Sequence, residues 1–229
     1  MSKRLDGKRA LITNANLYMG EPIAKLFAKE GAEVMANTDD LTEKGAAEAV
    51  IEAADPLDIL VANLAEDKEQ MDFLHKIRDE DWFGFFDRIV HPLMRLARAA
   101  IPPMVERGAG KVVAITSAAP LRGIPKCSAY CAARGAQNAF IRAIGLEVAR
   151  SNVQVNAVAQ NYVENPSYYP EEMLADEKMM ERMMKAIPAK RLGKGWESAE
   201  LALFLASDKS DFMVGQVVPF AGGWATTTG

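Results

Sequence analysis

Residues 111–134 read KVVAITSAAPLRGIPKCSAYCAAR, and the change of period within them decides the fold. Positions 111–116 form an apolar run of strand length that delivers Ser117 at its C-terminal edge. From about 128 to 150 the spacing is helical, with a face of small residues, Ala129, Ala132, Ala133, Ala136 and Ala139, that permits close helix-to-helix contact. Strand followed by helix recurs in both directions. Upstream lie a strand at 9–13, a helix at about 20–29 stopped by Gly31, and a strand at 33–36. Thr42 is a candidate N-cap for an Ala-rich helix to about 54, and the strand 58–62 follows, its Ile59, Leu60 and Val61 unbroken as in a strand buried on both faces. The stretch 79–107 is helical with apolar residues around most of its circumference, so one face is expected against another subunit, and Pro92 inside it predicts a kink or break. Downstream come a strand at 154–158, a loop at 159–170, a Met-rich helical segment at 171–186, a helix at 197–207 and a strand at 216–220. This alternation over 1–229 predicts a single α/β domain with a parallel sheet covered on both faces. In such sheets ligands bind beyond the carboxyl ends of the strands, so Thr13, Ala62, Ser117 and Ala159 point at one crevice.

The chain has 229 residues, 49% hydrophobic and 25% charged, enough for one full core. No apolar stretch reaches membrane-spanning length, and the charged start precedes an apolar run too short for a signal peptide, so a soluble cytoplasmic protein is expected. A net charge of −4 without a Lys/Arg cluster argues against nucleic-acid or membrane partners and for a small organic substrate. Cys127 and Cys131 have no His or further Cys placed to complete a metal set and read as reduced packing residues.

Ser117 precedes Tyr130 by thirteen residues and Arg134 follows it by four, so the tyrosine and arginine share a helix face one turn apart. A serine hydroxyl in that position holds a substrate oxygen while the phenol exchanges its proton. Free tyrosine titrates near pH ~10, and a guanidinium lowers that by favouring phenolate without being able to act as the base itself. Spacing alone leaves a second reading open, with Tyr130 capping a core helix and Arg134 a surface charge. His75, in a charged segment, and His91, beside Pro92 on a helix expected to be buried, are read as structural. Met173, Met179, Met180, Met183 and Met184 suit either a lid over an apolar pocket or a core gap.

The element order, the Ser-x12-Tyr-x3-basic pattern, the strand end Leu60-Val61-Ala62-Asn63, the strand Val155-Asn156-Ala157-Val158 and the ending from Leu205-Ala206-Ser207 to Gly222-Gly223 together resemble the short-chain dehydrogenase/reductase superfamily over about residues 7–224. The resemblance implies a Rossmann-like doubly wound parallel sheet in three α/β/α layers. It also implies a homotetramer, built through the helices at 79–107 and 128–150. Four positions depart from the pattern that handles a nicotinamide cofactor. The Thr-Gly-x3-Gly-x-Gly turn is Thr13-Asn14-Ala15-Asn16-Leu17-Tyr18-Met19-Gly20, the lysine is Arg134, the Pro-Gly after the fifth strand is Gln160-Asn161, and the helix asparagine falls at His91. Between Ala36 and Asp58 there is room for one helix, so the adenosine-binding half of the fold is shortened. Asp39 and Asp40 then read as a turn and helix start.

A Ser-Tyr-Arg triad on a chain with a spoiled glycine turn is similar to the halohydrin (haloalcohol) dehalogenases, which need no cofactor and no metal. What that implies is an intramolecular displacement. Ser117 binds the hydroxyl of a vicinal haloalcohol, Tyr130 takes its proton, and the alkoxide expels halide to leave an epoxide, with Arg134 easing proton loss from Tyr130. In reverse, halide, azide, cyanide or nitrite opens the epoxide. The departing anion needs preorganised N–H donors and ring edges. The resemblance assigns these to Gln160, Asn161, Tyr162 and Val163, with Tyr18 opposite; loop packing is the other reading of Tyr162. Two further readings stand beside this one: an NAD(P)-dependent short-chain oxidoreductase with a degenerate glycine motif, and a catalytically silent scaffold, against which the intact triad speaks.

Overall fold

Six strands, all parallel, form one sheet in the computed structural model, which describes residues 3–64 and 72–226. In chain order the first half comprises β1 (Arg9–Ile12), α1 (Gly20–Lys29), β2 (Glu33–Ala36), α2 (Ala46–Ala53), β3 (Ile59–Asn63), α3 (Asp79–Phe85) and α4 (His91–Arg107). The second half comprises β4 (Gly110–Ser117), α5 (Ala119–Arg122), α6 (Ser128–Val148), β5 (Val153–Gln160), α7 (Glu171–Ala175), α8 (Glu177–Ala186), α9 (Gly195–Ala206) and β6 (Val217–Phe220). The order across the sheet is β2-β1-β3-β4-β5-β6.

The three layers follow from the period-2 alternation of buried strands. Leu11, Leu60, Val112, Ala114, Val155 and Ala157 point to the face covered by α2, α4 and α6, where they meet Ile51, Leu96 and Ile141. Their neighbours Ile12, Val61, Val113, Ile115 and Val158 point to the opposite face, against Ile23 and Phe27 of α1 and Ala202 and Leu203 of α9. A doubly wound dinucleotide sheet carries a further strand outside β2. Here β2 is the edge and α2 alone connects it to β3, so the adenosine half is short as the spacing predicts.

The structure decides four local readings. The stretch 79–107 is helical with a break just before Pro92, one of the two outcomes the proline predicts: α3 passes through a single π turn, Phe86–Val90, into α4. Pro92 stands in the first turn of α4 directly after the π turn, so its missing N–H falls at the break between the two helices. Thr42 does not cap α2; its N–H and hydroxyl both donate to Asp40 Oδ1, at 2.9 and 2.7 Å, and the helix starts after Gly45 at φ 87°. His91 is not buried: its side chain keeps 45% of its surface and pairs with Asp87 at 3.0 Å. The methionine segment fills no core gap, since α8 has no buried residue.

The turn from β1 to α1 is built without two of its usual glycines. Asn14 and Tyr18 adopt positive φ, 44° and 52°, where side chains are strained. The Asn63 amide, at the end of β3, reaches the carbonyls of Asn14 and Leu17 at 3.0 and 3.1 Å and pins the turn. Gly20 survives for steric reasons: a Cβ there would lie 2.5 Å from both Ala15 Cα and the Asn14 carbonyl oxygen. Gly20→Ala is therefore expected to cost about 1–3 kcal/mol and lower Tm by several degrees in a thermal melt. An unchanged Tm would show that the turn has slack.

Candidate active site

Sheet register brings the two halves of the site together. Ser117, last residue of β4, is paired with Gln160, last residue of β5, so the serine and the loop 160–163 leave the sheet side by side. Asn138 of α6 donates to the Ser117 carbonyl at 3.1 Å and holds that strand end. The Ser117 Oγ accepts the Ala119 N–H at 3.0 Å, so its own proton is left to donate toward a substrate oxygen. Tyr130 lies in the first turn of α6, 8% exposed, its ring edge against Phe85 at 6.0 Å.

Arg134 is fully buried. Its Nη1 donates to the Ile115 carbonyl at 3.2 Å and to Gln137 Oε1 at 2.9 Å, and its Nη2 to the Leu64 carbonyl at 3.1 Å and the Tyr168 hydroxyl at 3.3 Å. The guanidinium carbon stands 5.4 Å from the ring centroid of Tyr130 and 5.6 Å from that of Tyr18, a cation between two aromatic faces. Burial pulls the guanidinium toward neutrality, but the phenols of Tyr130, Tyr168 and Tyr18 outweigh it and hold the charge more firmly than in free arginine. Arg134 is therefore no surface charge, contrary to that part of the second reading.

Tyr18 closes the site from the β1–α1 turn. Its hydroxyl donates to the Thr116 carbonyl at 3.2 Å and its ring meets Tyr168 edge-on at 5.1 Å. Burial keeps Tyr18 protonated well beyond the ordinary tyrosine range, against the opposing pull of Arg134. Burial does the same for Tyr168, with Tyr130 reinforcing it.

Ser117, Tyr130, Tyr18, Gln160, Asn161, Tyr162 and Val163 all line one cavity of about 40 Å³, together with Asn165, Tyr168 and Tyr169. That volume holds a single water-sized or halide-sized species. The anion donors differ in part from the expectation. The Asn161 N–H is taken by the Phe220 carbonyl and the Tyr162 N–H by Asn161 Oδ1, at 3.1 and 3.0 Å. That second bond turns Asn161 Nδ2 away, and this buried N–H₂ has no hydrogen-bond partner among the described residues. The bridge between Val163 and Gly193 uses the Tyr162 carbonyl and the Glu164 N–H, so the Val163 N–H faces away from Gly193. Gln160 contributes an oxygen that accepts the Ser198 hydroxyl at 2.6 Å. The Tyr162 ring packs on Trp224 at 5.9 Å, so its side chain follows the packing reading while the residue still lines the cavity.

A dinucleotide does not fit these residues. A groove of about 660 Å³ lies at the ends of β1 and β2, lined by Asn14, Leu17, Asp39, Asp40, Asp87 and Arg88 among others, and no residue lines both it and the 40 Å³ cavity. Leu17 borders the groove and Tyr18 the cavity, so the turn is the wall between them, and a ligand lying in the groove is separated from Tyr130 by it.

A family model described as enoyl-(acyl carrier protein) reductase matches residues 38–225. The chain belongs to the short-chain dehydrogenase/reductase superfamily. Among curated relatives of this superfamily it is 30% identical to the 3-oxoacyl-[acyl-carrier-protein] reductase FabG of Thermotoga maritima, over 96% of this chain and 98% of that one. Among solved structures it is 33% identical to one titled "Dehalogenation enzyme", with a TM-score of 0.91 over 97% of this chain and 100% of the other. A gluconate 5-dehydrogenase from Burkholderia cenocepacia in complex with NADP and tartrate is 26% identical with a TM-score of 0.87.

Sequence reasoning missed Tyr168, Gln137 and Asn138. The last two lie three and four residues after Arg134 and are therefore on its helix face, a signal that was present. Tyr168 comes from the loop after β5, and nothing in the chain's spacing announces its contact with Arg134.

Proposed function

We propose that this chain is a cofactor-independent halohydrin dehalogenase. The observation that carries the reading is the 40 Å³ cavity, which joins Ser117 and Tyr130 to an anion-sized space beneath Tyr18 and Asn161 with Arg134 buried alongside. The Ser117 hydroxyl donates to the substrate oxygen and orients it. Tyr130, as phenolate beside the guanidinium, takes the hydroxyl proton. The alkoxide oxygen forms its bond to the neighbouring carbon as the carbon–halogen bond breaks, and the halide leaves with the electron pair. Products are the epoxide and the halide, and Tyr130 returns its proton to solvent. In reverse, Tyr130 protonates the epoxide oxygen while halide, azide, cyanide or nitrite attacks the ring carbon. The neighbour titled as a dehalogenation enzyme supports this reading.

The second reading is an NAD(P)-dependent oxidoreductase, favoured by the reductase names of the curated relatives. One experiment separates the two. Purified protein mixed with a vicinal bromohydrin is expected to release bromide with no nucleotide added, and titration with NADH or NADPH is expected to be flat. Absence of halide release from several 1,2- and 1,3-halohydrins, with saturable nucleotide binding, would reverse the assignment.

A further inference from the structure

Gln137 is a buried polar residue that the triad chemistry does not use. It is 1% exposed, on the face of α6 that otherwise buries Ala133, Ile141 and Ile144. Its Nε2 donates to the Ile89 carbonyl at 2.6 Å, and its Oε1 accepts from Arg134 at 2.9 Å. The two partners dictate the amide's orientation, since a carbonyl only accepts and a guanidinium only donates. Ile89 belongs to the π turn Phe86–Val90 between α3 and α4, so its carbonyl gains a donor from outside its own helix. An apolar side chain would satisfy the packing of α6 at position 137 but would leave that carbonyl without this donor and the guanidinium without one of its four acceptors.

We infer that Gln137 is a positioning residue: it ties Arg134 to the π turn and so fixes the guanidinium over the Tyr130 ring, setting how readily Tyr130 gives up its proton. This rests on the reading of Ser117, Tyr130 and Arg134 as an acid/base triad. Among the described residues, the charged and titratable groups facing Tyr130 are Arg134 on its own helix, Tyr18 from the β1–α1 turn, and Tyr162, Tyr168 and Tyr169 from the loop after β5. Burial favours the protonated form of these four tyrosines, so the guanidinium is the one fixed charge in that described set. Its position therefore decides the local field, and Gln137 is the side chain that links this position to the π turn.

The test is Gln137→Met, which keeps the side-chain length and removes the amide. The expected result is a kcat about tenfold lower for halide release at an unchanged KM, with the acidic limb of the pH–rate profile moved to higher pH by about one unit. A second readout needs no substrate: the ultraviolet tyrosinate signal that disappears in Tyr130→Phe is expected to develop at correspondingly higher pH in Gln137→Met. That signal tests the Gln137 inference even in a protein that releases no halide, an outcome that would sink the proposed function alone. In an Arg134→Met background the Gln137→Met change is expected to add no further shift. Gln137→Glu provides a second variant that retains the amide's shape; held ionised beside the guanidinium, its carboxylate is expected to move both readouts to higher pH. Variants that melt earlier yet keep the wild-type profile and titration would show that Gln137 serves packing only, and the inference would fall.

Discussion

Tyr130→Phe is expected to release halide from a vicinal bromohydrin at least about a hundredfold more slowly than the parent chain, and up to about ten-thousandfold, the range that a positioned acid/base contributes. The change removes one oxygen. The ring keeps its edge-on contact with Phe85 at 6.0 Å and its place under the Arg134 guanidinium at 5.4 Å, so Tm is expected to move little. Ser117 still holds the substrate oxygen, but its hydroxyl has no base of suitable strength to hand the proton to. The sign of the pH dependence follows from the same chemistry: ring closure needs the deprotonated phenol, so the rate rises with pH in the parent, and that limb is lost in the variant. Halide release by Tyr130→Phe at the parent rate, with the same pH profile, would remove Tyr130 from the mechanism.

The legibility of this chain in its sequence divides along the line between local and tertiary causes. Strands buried on both faces must be apolar without interruption, so Ile59, Leu60 and Val61, or Val112 to Ile115, announce themselves. The nearness of Tyr130 and Arg134 was readable because they sit one turn apart on a single helix, and Ser117 because it ends an apolar run of strand length. The break at Phe86–Val90 was readable only as a proline signal, because whether Pro92 kinks a helix or begins one is decided by what packs around it. Likewise the burial of Arg134 depends on acceptors from residues 64, 115, 137 and 168, which no spacing argument gathers. The anion donors show the limit most clearly. A loop aligned by resemblance suggested backbone N–H groups, yet the Phe220 carbonyl takes that of Asn161 and Asn161 Oδ1 takes that of Tyr162, which leaves Asn161 Nδ2 as a buried donor without a partner among the described residues.

Tyr18→Gly places a glycine in the β1–α1 turn and, on the proposed cofactor-independent reading, tests whether that one ring or the architecture keeps a nucleotide out. The variant gives up a buried aromatic side chain, with its edge contact to Tyr168 at 5.1 Å and its hydrogen bond to Thr116. Truncations of that size cost about 3–5 kcal/mol. Glycine recovers about 1 kcal/mol of this, because Tyr18 sits at φ 52° and glycine does not resist that conformation. The net loss of roughly 2–4 kcal/mol corresponds to a Tm lower by roughly 5–15 °C for a chain of this length. Inhibition by added halide is expected to weaken at least about tenfold, since a cavity widened by a ring's volume fills with water and no longer offers one ion a fitted, desolvated place. Binding of NADH or NADPH is nevertheless expected to stay undetectable. With β2 at the sheet edge and only α2 between it and β3, the strand and helix that would flank an adenosine are absent among the described residues, and the remaining groove, lined by Asp39, Asp40 and Asp87 together with Arg88 and Arg95, shares no lining residue with the 40 Å³ cavity that holds Tyr130. Saturable nucleotide binding by Tyr18→Gly in a fluorescence titration would mean that the shortened half still recognises a dinucleotide and that the tyrosine alone excludes it.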